Sequence, residues 1–133
     1  MSLLWYLLII SCFTVHSISI APKLVEFKPV IYQNVATKLK ILCALQQGSK
    51  PVHFDWLKNG KVIPVTGTNY KLETSEDDSL LVIYTLDVTD TGNYSCTGRN
   101  DVGHDTQFTR LTVKGLIKFF SPSGSAFVPH ELR

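Results

Sequence analysis

From Lys38 to Cys43 the chain alternates. Leu39, Ile41 and Cys43 fall on one face, Lys38 and Lys40 on the other. A period of two is that of a half-buried strand, and the lysine face belongs in water, so the cysteine faces the core. Gln46 to Pro51 reads as a loop. Phe54 and Trp56 then alternate with His53, Asp55 and Leu57. Asn59-Gly60, between Lys58 and Lys61, is a two-residue hairpin signal, because both central positions of a type I′ turn need positive φ. Val62-Ile63 is the short returning strand, ended by Pro64. Thr66 to Asp78 is polar with little period. Ser79 to Tyr84 is the next strand, with Leu81 and Ile83 inward, and Leu86 precedes a corner from Asp87 to Thr91. Tyr94 and Cys96 point inward on the following strand. Arg99 to Gly103 makes the last hairpin, and Leu111 and Val113 close the final strand on the core side. At the other end, Pro22 and Pro29 bracket Lys23 to Lys28. Proline is tolerated at strand edges and kinks, so this reads as a first strand interrupted before Val35.

Short strands separated by turn signals from Ile20 to Lys114 predict an all-β sandwich rather than alternating strands and helices. The predicted core is Leu39, Ile41, Cys43, Phe54, Trp56, Leu81, Ile83, Leu86, Tyr94, Cys96, Leu111 and Val113. Two cysteines with a tryptophan between them, and a tyrosine two residues before the second, form the signature of an immunoglobulin sandwich. Trp56 is expected to pack flat against a Cys43–Cys96 bridge. The Tyr94 hydroxyl is expected to turn back to the backbone near Asp90, and Asp90 to pair with a basic residue, with Lys71 the nearest candidate. These roles are structural.

The first charged residue is Lys23, and Leu3 to Ile10 is an unbroken apolar run followed by small residues. That pattern reads as a secretory signal peptide over residues 1–19, cleaved after Ser17 or Ser19. An uncleaved anchor fits less well, since spanning a bilayer needs about 20 apolar residues. Cys12 leaves with the signal, and Cys43 and Cys96 remain as an even pair in an oxidising compartment. The alternative is two reduced, buried thiols. Residues 115–133 do not continue the strand pattern. Leu116 to Phe120 is apolar, Ser121 to Ser125 breaks it, and the segment reads as a tail or linker stub of a larger, truncated protein.

The 133 residues suffice for one domain with a core, and the formal net charge is +2. No basic stripe with interleaved aromatics is present, which argues against nucleic acid. Glu73, Glu76, Asp77 and Asp78 cluster without an EF-hand pattern and read as a solvated turn rather than a calcium site. His53, His104 and His130 lack metal-ligand spacing. No phosphate loop or nucleophile elbow appears, so neither catalysis nor a cofactor or metal is expected.

The stretches Phe54 to Gly60, Ser79 to Ile83, Asp90 to Cys96 and Arg99 to Gly103 resemble the third-strand hairpin, E strand, F strand and F–G turn of I-set immunoglobulin domains. Pro22 to Phe27, Ser79 to Ile83 and Gly92 to Cys96 are similar, more narrowly, to arthropod Dscam-type adhesion receptors. The resemblance implies a Greek-key sandwich of two packed antiparallel sheets over residues 20–114, and an extracellular recognition role. Dscam-type receptors continue into further domains and a membrane span; this chain carries neither pattern.

Parity orients the outer faces. Asn93-Tyr94-Ser95 is an N-glycosylation acceptor, and Asn93 faces out because Tyr94 faces in. An unmodified asparagine near a tight corner is an equal alternative. On the opposite sheet, Leu42, Val82 and Tyr84 face out, flanked by Lys40. Such a patch marks an interaction face or consists of ordinary scattered hydrophobes. Three functions follow: an adhesion module binding protein, itself included; a soluble secreted immune-type receptor or decoy; or a structural spacer.

Overall fold

A computed structural model describes residues 15–115. The body of the expected signal, with Cys12, and the tail from Leu116 onward lie outside the described residues. Among the described residues nine strands form: β1 Lys23–Leu24, β2 Val30–Asn34, β3 Leu39–Gln47, β4 His53–Lys58, β5 Lys61–Val62, β6 Tyr70–Thr74, β7 Asp78–Ile83, β8 Gly92–Asn100 and β9 Gly103–Lys114. One 3-10 turn, Val88–Asp90, sits at the Asp87 corner. The strands make a four-stranded sheet in the order β1-β3-β7-β6 and a five-stranded sheet in the order β2-β9-β8-β4-β5. The all-β sandwich is therefore present.

Two features refine the sequence reading. The sheets are not wholly antiparallel, because β2 runs parallel to β9, from Val30 opposite Arg110 to Asn34 opposite Lys114. The first strand leaves the four-stranded sheet after Leu24, passes Pro29 and joins the other sheet without reversing. The polar stretch from Thr66 to Asp78 also contains a strand. β6 is an edge strand, so Lys71 and Glu73 stand in water while only Tyr70 and Leu72 reach the core. An edge strand that buries two half-covered side chains gives little periodicity.

The Asn59-Gly60 turn forms as expected, with φ of 50° and 77°. It pairs Lys58 with Lys61 and Leu57 with Val62. Every expected core residue is buried except Phe54, which packs half-buried against the core. Leu24 and Ile63 join that core cluster, and Val52 is buried as well.

Cys43 and Cys96 are bonded and tie β3 to β8 across the sandwich, with Cα atoms 6.4 Å apart. Trp56 stands opposite Cys96 in the ladder. The ring stacked on it is that of Phe27, 5.9 Å away and inclined by 19°. Its indole N–H donates to Ser79 Oγ at 2.9 Å, and that hydroxyl meets Thr74 Oγ1 at 2.8 Å. The buried indole thus reaches from one sheet to the other with its polar atom satisfied.

Candidate interaction faces

The corner beneath the sandwich fixes how the strands present their outer faces. Tyr94 Oη donates to the Asp90 carbonyl at 2.7 Å, the turn-back expected of a tyrosine before the second cysteine. Burial, more than the neighbouring Tyr70 and Asp90, pushes the Tyr94 phenol far above its ordinary range, so it stays a neutral donor. Asp90 is buried and accepts from the Asp87 N–H at 2.8 Å and from the Tyr70 hydroxyl. Its cationic neighbour is Lys58, not Lys71. Lys71 is on the outward side of β6 and pairs with Glu73 at 2.8 Å, whereas Tyr70 holds the inward position.

The outer face of the four-stranded sheet is ordered by register. Lys40, Val82 and Lys71 lie side by side, and Leu42, Leu80 and Glu73 form the next row. Leu42 is 53% exposed and Tyr84 44%, so both present apolar surface as expected. Val82 does not: it points outward but is only 3% exposed. It sits on an inner strand with a lysine on either side, and long lysine stems cover apolar neighbours while their ammonium groups reach water. Lys38 Nζ lies 5.2 Å over the Tyr84 ring, within cation–π range.

Charge on this face is polarised. Lys38, Lys40 and Lys71 occupy one end, and Glu73 and Asp78 the other, where Glu76 lies in the turn between β6 and β7. The hydrogen bond and charge of Lys71 pull the Glu73 carboxyl below its ordinary range, with a smaller effect from Lys40. The acidic turn is a closed structural unit. Ser75 Oγ lies 2.9 Å from Asp77 Oδ1 and 2.8 Å from Asp78 Oδ1, so its one proton is shared between the two carboxylates, and Lys50 Nζ meets Asp77 at 2.7 Å. Among the described residues no group of three or more His, Cys, Asp or Glu is placed to hold a metal ion. No helix among them is long and apolar enough to cross a membrane.

The opposite outer face belongs to the five-stranded sheet. Asn93 is exposed there, opposite Arg110, whose Nη1 donates to Asn93 Oδ1 at 3.3 Å. Beside it runs a row that sequence reasoning missed: Phe108, Ser95, Leu57 and Val62, one from each of four neighbouring strands. Phe108 is 68% exposed and Val62 79%. Parity from the inward Leu111 would have found Phe108.

The immunoglobulin I-set domain model matches residues 27–113. The chain belongs to the I-set immunoglobulin domain family. It is 35% identical over 78 residues to the cell adhesion molecule Dscam2 of Drosophila melanogaster, a match covering 54% of this chain. It is 30% identical over 89 residues to the cell adhesion molecule DSCAML1 of Gallus gallus, covering 67% of the chain. Both matches take in only 4% of the relative's length. In three dimensions the I-band fragment I67–I69 of titin superposes with a TM-score of 0.64 at 26% identity. That superposition covers 72% of this chain and 33% of the fragment. The Dscam-type likeness seen in the sequence is thus supported, and the same I-set fold also serves in titin.

Proposed function

We propose that this chain is an extracellular recognition module for cell adhesion, and that it pairs with a second copy of itself through the outer face of the four-stranded sheet. The observation that carries this is the charge polarity of that face. A twofold axis in the plane of the face and perpendicular to the strands lays the Lys38, Lys40 and Lys71 end of one copy on the Glu73, Glu76 and Asp78 end of the other. Leu42 and Tyr84 supply apolar contact. Such an interface is isologous, so one surface suffices for both partners. The likeness to two proteins named as cell adhesion molecules supports the reading. The Cys43–Cys96 bond supports an oxidising, extracellular setting.

The test is charge reversal with mixing, read as aggregation of coated beads. Lys40→Glu with Lys71→Glu makes one variant, and Glu73→Lys with Glu76→Lys the other. Each variant alone is expected to stop aggregating, and the two mixed to aggregate again. Wild-type beads that do not aggregate would leave a soluble receptor or a spacer as the better description.

A further inference from the structure

The sandwich gives no internal reason for the outward row of Phe108, Leu57 and Val62, in which Phe108 and Val62 are exposed and Leu57 half-buried. Asn93 lies on the same face, one row away, and heads the sequence Asn93-Tyr94-Ser95. Because Ser95 stands opposite Phe108 and Asn93 opposite Arg110, Asn93 and Phe108 are diagonal neighbours across β8 and β9. Such pairs are about 7–8 Å apart, within reach of a large side-chain group. Arg110 holds the Asn93 amide through Oδ1, and among the described residues no protein group accepts from Nδ2. The amide nitrogen is therefore presented to solvent beside an uncovered aromatic ring.

We propose that Asn93 carries an N-linked glycan whose first N-acetylglucosamine lies over the Phe108 ring and shields the apolar row. The occupant follows from the face itself. An acceptor asparagine and an exposed aromatic adjoin, and the C–H face of a pyranose ring is apolar surface that a phenyl ring can cover. In the transfer, Asn93 Nδ2 attacks C1 of a lipid-diphosphate-linked oligosaccharide. The N–C1 bond forms and the C1–O bond to phosphate breaks. The lipid diphosphate leaves with the electron pair, and one amide proton passes to base. Ser95 is buried and Asn93 is locked into the β8–β9 ladder, so transfer precedes closure of the sheet and happens on the nascent chain. The compartment that forms the Cys43–Cys96 bond is the one in which such a donor is met. This site is on the sheet opposite the self-pairing face and does not depend on that reading.

The test expresses the full chain in cultured animal cells and recovers it from both medium and lysate. Treatment with an enzyme that cleaves the asparagine–sugar bond should shift its mass and leave aspartate at position 93. Asn93→Gln and Ser95→Ala should abolish the modification, and Ser95→Thr should keep it. Phe108→Ala should then lower the melting temperature of the glycosylated protein by about 3 °C and leave that of the Asn93→Gln protein unchanged. An unmodified Asn93 in both fractions overturns the proposal. So does a Phe108→Ala shift of equal size in the two backgrounds.

Discussion

Lys58 and Asp90 are the ion pair beneath the sandwich, with Nζ 3.8 Å from Oδ1. The lysine ends β4 and the aspartate ends the 3-10 turn, so the pair pins a strand of the five-stranded sheet to the corner leading into β8. Lys58 Nζ also donates to the Thr89 carbonyl at 2.8 Å and to the Tyr70 hydroxyl at 3.2 Å. It lies 5.7 Å over the ring of Tyr94. Asp90→Ala removes the acceptor for Tyr70, for the Asp87 N–H and for this cation together. Breaking a buried charge network from one side costs about 3 kcal/mol. Lys71→Ala breaks only an exposed pair and should stay within about 0.5 kcal/mol of wild type. Urea unfolding of the two variants distinguishes them, and equal losses would restore Lys71 as the partner of Asp90.

The disulfide and Trp56 act on different states of the chain. The bond closes a loop with a sequence separation of 53, and a loop of that length constrains the unfolded chain by about 4 kcal/mol. Trp56 instead fills the folded core, and Trp56→Ala should cost about 3–5 kcal/mol. The Cys43→Ala, Cys96→Ala double variant should therefore be destabilised by a similar amount while keeping its near-ultraviolet tryptophan signal at low temperature. Loss of that signal in the folded, cysteine-free protein would mean that the bond also positions the indole.

Most of the fold was legible because its inner residues are large and its turns chemically marked. Leu39, Ile41 and Cys43 alternate with lysines, and Asn59-Gly60 names its own turn. The elements with a faint pattern share one cause: short or edge strands bury too few side chains to imprint a period. Leu24 lies in a two-residue strand, and Tyr70 and Leu72 are the only core-facing apolar residues of β6. Parity located the outer faces correctly, since Asn93, Leu42 and Tyr84 are all exposed. It could not foresee that Val82, outward by the same count, is covered, because direction is a property of one strand and burial depends on its neighbours. The Lys58–Asp90 pairing was invisible for the same reason, as it depends on where β4 ends relative to a turn distant in sequence.

Gly98 makes a tight inward contact in the middle of β8. A Cβ built there would lie 2.9 Å from Leu24 Cδ2, 3.2 Å from Val52 Cγ1 and 3.4 Å from Phe54 Cε1. The residue faces the core, so Gly98→Ala overpacks it and should cost about 1–3 kcal/mol. The nearest atom belongs to Leu24, and shortening that side chain makes room. Leu24→Ala alone leaves a cavity, yet combined with Gly98→Ala the two losses should sum to less than their separate values. Strictly additive losses in chemical denaturation would place the strain at Val52 or Phe54 instead.

Stability should fall at both extremes of pH, for different physical reasons. Asp77 is held below its ordinary value of 3.8 by hydrogen bonds from Lys50 and then Ser75. Asp87 is held below it by Thr89, and Glu73 below 4.5 by Lys71. A depressed carboxyl stabilises the fold above its unfolded pKa, and that contribution is lost as pH falls through the folded value. The acid limb should therefore begin near pH 4. All three groups are exposed, so about 1 M salt should flatten this limb. Lys50 and Lys71 are raised by the same partners above 10.5, and Tyr94 is raised above 10.0, chiefly by burial. A raised group stabilises the fold fully below its unfolded pKa and ceases to do so as pH rises through the folded value, so the alkaline limb begins near pH 10. Salt should weaken the lysine share of that limb and leave the tyrosine share, because burial is not screened by ions. Melting temperatures measured from pH 2 to 11 at low and high salt check both limbs. An alkaline limb that vanishes in salt would mean that Tyr94 is hydrated in the folded state.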